Sequence, residues 1–386
     1  MTQEKLWTKN FVLIIIINFL VFVNHIMVLS TFPFYVEKLG GTEAVAGLAA
    51  TAFSFVAVLC RPFIGWMLDN GKRKAILFIG LIGLALMPVG YLFAQALALA
   101  LLFRMLHGAS LACSNTTSST IATDVIPKSR FAEGMGMFGM ATALATAVAP
   151  ALGLALMGKS FRVLFLTATG FAVLALGLFL LVKTPKLVVE KNSLSFQALY
   201  SKNALPASTV MLIFLLTFGA LENFLAKFAS ENGLPSGGVF FAIMAVMLLL
   251  VRVTMGKLAD QKGEGLFVYS CNGAMFAAFL LLALVPNKIT FCLAAALAGY
   301  GFGGLEPALQ SMAVHIASPS ERGAANSTFL CAYDIGIGLG GGLAGELITA
   351  FGYRPMFAVL AAANIASVLV YIFWGRKHPS SFSYGK

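Results

Sequence analysis

Residues 11–34 read FVLIIIINFLVFVNHIMVLSTFPF, twenty-four positions without an Asp, Glu, Lys or Arg. A bilayer core of ~30 Å takes about 20 apolar residues in a helix, so this run is long enough to cross once. It is too long for the apolar core of a signal peptide. No small-residue cleavage site with a mature soluble domain follows it, so it reads as a retained first helix. Working outward, eleven further runs of similar kind follow, at 43–68, 75–94, 97–123, 133–158, 162–183, 206–229, 237–258, 266–286, 289–316, 324–350 and 354–375. Only Gln95 separates the third from the fourth. The longest polar connection, 184–205, carries Lys186, Glu190, Lys191 and Lys202. It divides the chain into an N-terminal half (1–183), a linker (184–205) and a C-terminal half (206–386).

Composition agrees with this pattern. The 386 residues are 59% hydrophobic and 11% charged, whereas a soluble domain is about 45–50% apolar and about 25% charged. One soluble fold of this size cannot hide so much apolar surface, so lipid must solvate part of it. The expected class is all-α integral membrane, with twelve transmembrane helices in two pseudo-symmetric six-helix halves. The net charge of +11 would suit nucleic acid, but topology explains it better. With both termini in the cytoplasm, cytoplasmic segments hold 17 Lys and Arg, the other side 6, and Arg61, Arg104 and Arg252 fall within helices. That bias obeys the positive-inside rule. The five cysteines all lie in apolar stretches without metal-ligand spacing and read as small buried hydrophobes.

The halves carry a repeat. Arg61-Pro-Phe-Ile-Gly65-Trp-Met-Leu-Asp69 matches Arg252-Val-Thr-Met-Gly256-Lys-Leu-Ala-Asp260, offset by 191 residues. Pro127-Lys-Ser-Arg130 matches Pro319-Ser-Glu-Arg322 at an offset of 192. Two landmarks at nearly one offset argue for duplicated halves, an established transporter plan with its site between repeats near the midplane.

The stretch Gly65-Trp-Met-Leu-Asp69-Asn-Gly71-Lys72-Arg73-Lys74 resembles the signature loop between helices 2 and 3 of the major facilitator superfamily. Arg104 with Gly108 resembles that superfamily's helix-4 motif. Gly136, Pro150 and Gly153 partly match a helix-5 motif of its drug:proton antiporters, although Ala145 and Ala149 stand where that branch prefers glycine. Arg322-Gly-Ala-Ala-Asn326-Ser-Thr, running on to Tyr333-Asp334-Ile-Gly336-Ile-Gly338, is similar to bacterial multidrug and sugar-efflux-type permeases. The resemblance spans essentially the whole chain. It implies a gate built from Gly65, Asp69 and Arg73, and a coupling role for Arg104. The physics of the loop is compatible: Gly65 lets helix backbones approach. Asp69, at a helix end, can pair with a cation or with a neighbouring helix's positive N-terminus. The plainer alternative is a solvated turn whose basic residues set topology.

Ionisable groups at membrane depth are costly and usually mark a water-filled path or a partner. Arg104 lies within helix 4; besides coupling, it could be a hydrogen-bond hub to helix 1 near Asn18 or Asn24. Glu222 on helix 7, Glu306 before Pro307 on helix 10 and Asp334 on helix 11 are the expected proton or cation sites. An outer-interface ion pair is the alternative for Glu222, and a structural bond to a neighbouring helix for Asp334. Asn18, Asn24, His25, Asn115 and Tyr333 are candidate cavity residues. The polar run Asn115–Thr120 covers every helix face, so some of it must bond backbone carbonyls. No Walker loop, zinc-protease motif or nucleophile–base pair is present, and Gly340-Gly341-Gly342 lies in an apolar helix rather than a phosphate loop.

These features predict no enzyme and no cofactor. They predict a proton-driven exporter of small amphiphilic or cationic compounds or metabolites, working by alternating access as a monomer in a bacterial-type cytoplasmic membrane. Its partners would be a small-molecule substrate, protons and the lipid bilayer, not nucleic acid. The alternative is an importer or exporter specific for one polar metabolite, such as a sugar, an amino acid derivative or a metal-chelating opine. A third class, a scramblase or sensor, is disfavoured by the gate-like loop.

Overall fold

The computed structural model describes residues 5–41, 43–183, 193–194 and 199–381. Most of the expected linker therefore lies outside the described residues, as do the side chains of Lys227 and Asp260. The described residues form twelve helices of 18 to 30 residues and no strand. They are α1 (Lys9–Lys38), α2 (Glu43–Asp69), α3 (Arg73–Phe93), α4 (Leu97–Val125), α5 (Phe131–Lys159) and α6 (Phe161–Phe179), then α7 (Leu205–Glu231), α8 (Gly237–Lys262), α9 (Gly265–Leu284), α10 (Lys288–Val314), α11 (Arg322–Phe351) and α12 (Tyr353–Val370). Ten contain a stretch long and apolar enough to cross a membrane; α5 and α11 supply none among their described residues.

A helix satisfies its backbone polar groups within one segment, which is what a hydrocarbon solvent demands. The helix ends follow local chemistry. Thr8 Oγ1 accepts from Phe11 N, Ser160 Oγ accepts from Val163 N, and Asn287 with Thr290 forms a capping box. Gly71, at φ 81°, turns the chain from α2 into α3, a conformation glycine adopts without a Cβ clash. Ile79, Leu174 and Val246 are each more than half exposed. Large apolar residues turned outward on many helices are a lipid-facing surface rather than a soluble one.

The chain divides into two compact units. One comprises Met1–Pro127, Ala141–Tyr200 and Ser318–Ser327; the other comprises Lys128–Met140, Ser201–Ala317 and Thr328–Lys386. In the first unit the extensively packed pairs are α2 with α4, α3 with α4, α3 with α6, α1 with α6 and α1 with α4. In the second they are α8 with α10, α9 with α10, α9 with α12, α7 with α12 and α7 with α10. The second set is the first shifted by six helices.

The repeat reaches individual backbone contacts. A Cβ on Gly108 would lie 2.4 Å from the Phe53 carbonyl oxygen, and one on Gly299 would lie 2.3 Å from that of Met244. Both members of the second pair stand 191 residues beyond those of the first, the offset of the Arg–Gly–Asp repeat. Each glycine lets its two helices approach to backbone contact. The glycine run of α11 serves the same purpose in the second unit. Added Cβ atoms on Gly336 and Gly340 would lie 2.6 Å and 2.3 Å from the carbonyl oxygens of Leu212 and Leu216 on α7, whereas Gly342 has nothing within 4 Å. Gly340→Ala is therefore expected to destabilise the protein by about 1–3 kcal/mol, the usual cost of overpacking. Gly342→Ala, with free space for the methyl group, should leave the melting temperature of the detergent-solubilised protein unchanged or slightly raised.

Candidate functional site

In the second unit, α7, α8, α10 and α11 bring ionisable groups together. Arg252 on α8 is buried, and its Nη2 forms an ion pair with Glu306 Oε2 on α10. Its Nε and Nη1 have no hydrogen-bond partner. Gly139, in the first turns of α5, makes room for this guanidinium: a Cβ there would lie 2.0 Å from Nη1. Tyr333 on α11 stands within electrostatic reach of Glu306, Arg252, Glu222 and Asp334. The Phe302 and Phe218 rings stack at 4.3 Å, and Phe302 also meets the Tyr333 ring at 6.3 Å. The three carboxylates expected from the sequence thus all lie within electrostatic reach of one tyrosine, and one of them, Glu306, holds the arginine. Glu222 is exposed and Glu306 half-buried.

The internal repeat shows what changed between the halves. Arg61, the first-half partner of Arg252, donates from Nη1 to Thr116 Oγ1 at 3.0 Å. Glu306 stands at the repeat position of Asn115, beside that threonine. A neutral hydroxyl contact in one unit is an ion pair in the other.

The signature loop lies in the first unit, together with the opening residues of α11. Asp69 accepts from Gly323 N at 2.7 Å and from Ala324 N at 2.8 Å. It caps two of the free N–H groups at the helix's positive end, which is favourable for a carboxylate. The approach is possible because both crossing residues are glycine. A Cβ on Gly65 would lie 2.9 Å from Gly323 O, and one on Gly323 would lie 2.5 Å from Gly65 O. Of the two partners foreseen for Asp69, the helix terminus is the one it holds.

Arg73 does not bind Asp69 through an ion pair. Its Nε donates to Asp124 Oδ2 at 2.8 Å, and Nη1 and Nη2 donate to the carbonyls of Leu68 and Pro319. Arg322 donates to the other oxygen of Asp124 at 3.1 Å. Asp124 is therefore the centre of a buried charge triad. Sequence reading passed over it, although it ends α4 just before Ile126-Pro127, as Asp69 ends α2. Ser119 also donates to Asn326 at 2.9 Å.

The remaining candidates line the interior of the first unit. Asn18 donates to Thr142 at 3.0 Å. Asn24 is fully buried and donates to the carbonyls of Leu84 and Ala168, while its Oδ1 meets His107 Nε2. Arg104 is not bonded to either asparagine. Asn24's donors are taken by backbone carbonyls, and Arg104 reaches it only through Tyr91 and His107. The guanidinium lies over the rings of Phe32 at 4.9 Å and Phe53 at 4.3 Å. His25 stacks on Phe53 at 4.7 Å. Asn115 is buried, and in the polar run around it Thr117 and Thr120 bond back to the carbonyls of Cys113 and Thr116, as helix geometry required.

Asp124→Asn would leave Arg73 and Arg322 without their shared anion. The expected loss of stability is about 3–5 kcal/mol, the range for removing one partner of a buried pair. Arg130→Gln breaks the more exposed Arg130–Glu133 pair and should cost under about 1 kcal/mol. Thermal unfolding of the two variants side by side checks the difference.

Known proteins share this architecture. A transporter described as an uncharacterised MFS-type protein, from Burkholderia mallei, is 25% identical over 93% of this chain and 91% of its own length. The staphylopine export protein of Staphylococcus aureus is 21% identical over 91% of this chain and 92% of its own. The crystal structure of the human organic anion transporter MFSD10 superposes with a TM-score of 0.83 at 18% identity, covering 94% of this chain and 98% of that one. The family described as the Major Facilitator Superfamily matches residues 14–287 and 255–386. The chain is a multi-pass membrane transporter, not an enzyme, and it belongs to the Major Facilitator Superfamily.

Proposed function

We propose that this protein is a proton-coupled secondary transporter that exports small amphiphilic or cationic compounds or metabolites by alternating access. The observation that carries the reading is the Arg252–Glu306 ion pair, with Glu222 and Asp334 gathered around the same Tyr333. One carboxylate stands against the guanidinium, and two more lie within electrostatic reach of the tyrosine beside it. A proton or a cationic substrate reaching Glu306 competes with Arg252 for the same carboxylate. Loading one releases the other, which is antiport in its simplest form. Export is the direction named for the staphylococcal relative.

In this scheme twelve helices cross the membrane, with the halves 1–183 and 206–386 as the moving bodies and both termini in the cytoplasm. The Lys/Arg distribution supports that orientation. Gly65, Asp69 and Arg73 act as the gate. The Asp69 cap on α11 and the Asp124 triad are contacts that hold in one state and must part in another. The cycle takes place in a bacterial-type inner membrane, within a monomer and without a cofactor.

The test uses inverted membrane vesicles carrying a pH-gradient dye. Adding ethidium or tetraphenylphosphonium should collapse the gradient with the wild-type protein. Glu306→Gln and Glu222→Gln should lower the initial rate at least about tenfold, as expected when an essential proton site is removed. An inert response to every cation, from well-expressed and folded protein, would sink the cationic reading. The reading specific for one polar metabolite would then take its place, favoured by the cationic Arg104 cluster of the first unit.

A further inference from the structure

The interior of the first unit contains a cation that nothing in the carrier scheme answers. Arg104 is 1% exposed, and its Nε and Nη1 have no hydrogen-bond partner. Among the described residues no acidic side chain lies within ion-pair distance of it. A buried guanidinium left in this state is strongly disfavoured, and natural examples are paired or meet an anion.

Aromatic rings stand against the guanidinium, while its Nε and Nη1 are left without an acceptor. Phe32 and Phe53 stand against the group through cation–π contact. Gly108 makes the second contact possible, because its missing Cβ lets the α2 backbone at Phe53 come against α4. The polar neighbours are fixed one after another. Asn24 spends its amide hydrogens on Leu84 O and Ala168 O, so its Oδ1 must accept from His107 Nε2. His107 Nδ1 is then an acceptor for the Tyr91 hydroxyl at 3.2 Å, which turns the Tyr91 oxygen towards Arg104. The chain ends in one neutral acceptor, and no negative charge enters it. His25 stacks on the same Phe53 ring within electrostatic reach of Arg104, and its buried Nδ1 also has no partner. Three nitrogens on two side chains are held in place with nothing to bind.

We infer that Arg104, with His25 beside it, is a binding site for the carboxylate of a small organic acid. Arginine is the side chain suited to this task, since its donors are rigidly arranged and its planar faces stack on aromatic rings. The carboxylate belongs to the cargo, a statement that rests on the carrier reading above; the site itself does not depend on it.

Purified full-length protein in lipid nanodiscs tests this by thermal unfolding at constant ionic strength. The probes are benzoate and succinate, with benzamide and succinamide as neutral counterparts. A carboxylate should raise the melting temperature progressively with concentration, as a ligand of the folded state does, and its amide should not. Arg104→Gln should abolish the shift, His25→Ala should weaken it, and Arg104→Lys should keep part of it. If Arg104→Gln does not fold, His25→Ala and Phe53→Leu decide: a lost shift with normal ligand-free melting supports the site, and an unchanged shift in both overturns it. No stabilisation of the wild type by either carboxylate also overturns it. Glu306→Gln should retain the full carboxylate shift. A negative vesicle assay beside an Arg104-dependent shift would therefore remove proton coupling and leave this site standing.

Discussion

A charged side chain taken out of water must be met by another group, and most of the polar organisation of this protein follows from that requirement. Asp124 is met by two guanidinium groups and Asp69 by the free N–H groups of a helix end. Arg252 is met by Glu306, and Arg61 by a threonine hydroxyl. These solutions differ in strength and in how readily they open. A carboxylate on a helix terminus holds a partial charge and can part from it without stranding a second full charge. A triad such as that at Asp124 strands two cations when it breaks. The cap is thus the easier contact to break, and the triad the firmer one.

The second constraint is close approach of backbones. Helices in lipid gain nothing from hiding apolar surface from one another, so van der Waals contact and polar bonds must hold them together. Glycine at a crossing supplies that contact, and here it also places functional groups. Gly108 brings Phe53 against Arg104, Gly139 leaves the volume that Arg252 fills, and Gly65 with Gly323 seats α11 where Asp69 can cap it. The equivalent contacts at Gly108–Phe53 and Gly299–Met244 show one packing solution used twice. The two units differ in where the equivalent helices α4 and α10 carry charge: α4 has Arg104 where α10 has Ala295, and α10 has Glu306 where α4 has Asn115.

The membrane class, the helix positions and the six-helix repeat were legible in the linear chain, because apolar run length and residue spacing are local properties. The expected helix limits lie within a few residues of the observed ones; α1 runs on to Lys38 and α6 stops at Phe179, where a turn replaces the last residues of the expected run. Helix ends are set by caps and turns, which hydropathy does not register. The loop Gly65–Lys74 was also readable, as were the carboxylates Glu222, Glu306 and Asp334, since an acid inside an apolar run stands out without any knowledge of its neighbours.

Partnership was not readable in this way. Nothing in the order of residues pairs Arg73 with Asp124 rather than Asp69, joins Arg322 to the same acid, or sets Arg252 on Glu306. Each pair lies on helices far apart in sequence, and helix rotation and crossing depth decide which side chains meet. Arg104 illustrates the division. Its position in an apolar helix marked it as costly from the sequence alone. That it faces two phenylalanines, a tyrosine and a histidine, and no carboxylate among the described residues, was decided only by the packing of α1, α2, α3 and α4. The chain determined by itself where charge would enter the membrane; the tertiary structure decided what would meet it, because pairing depends on distances across the bundle rather than along the chain.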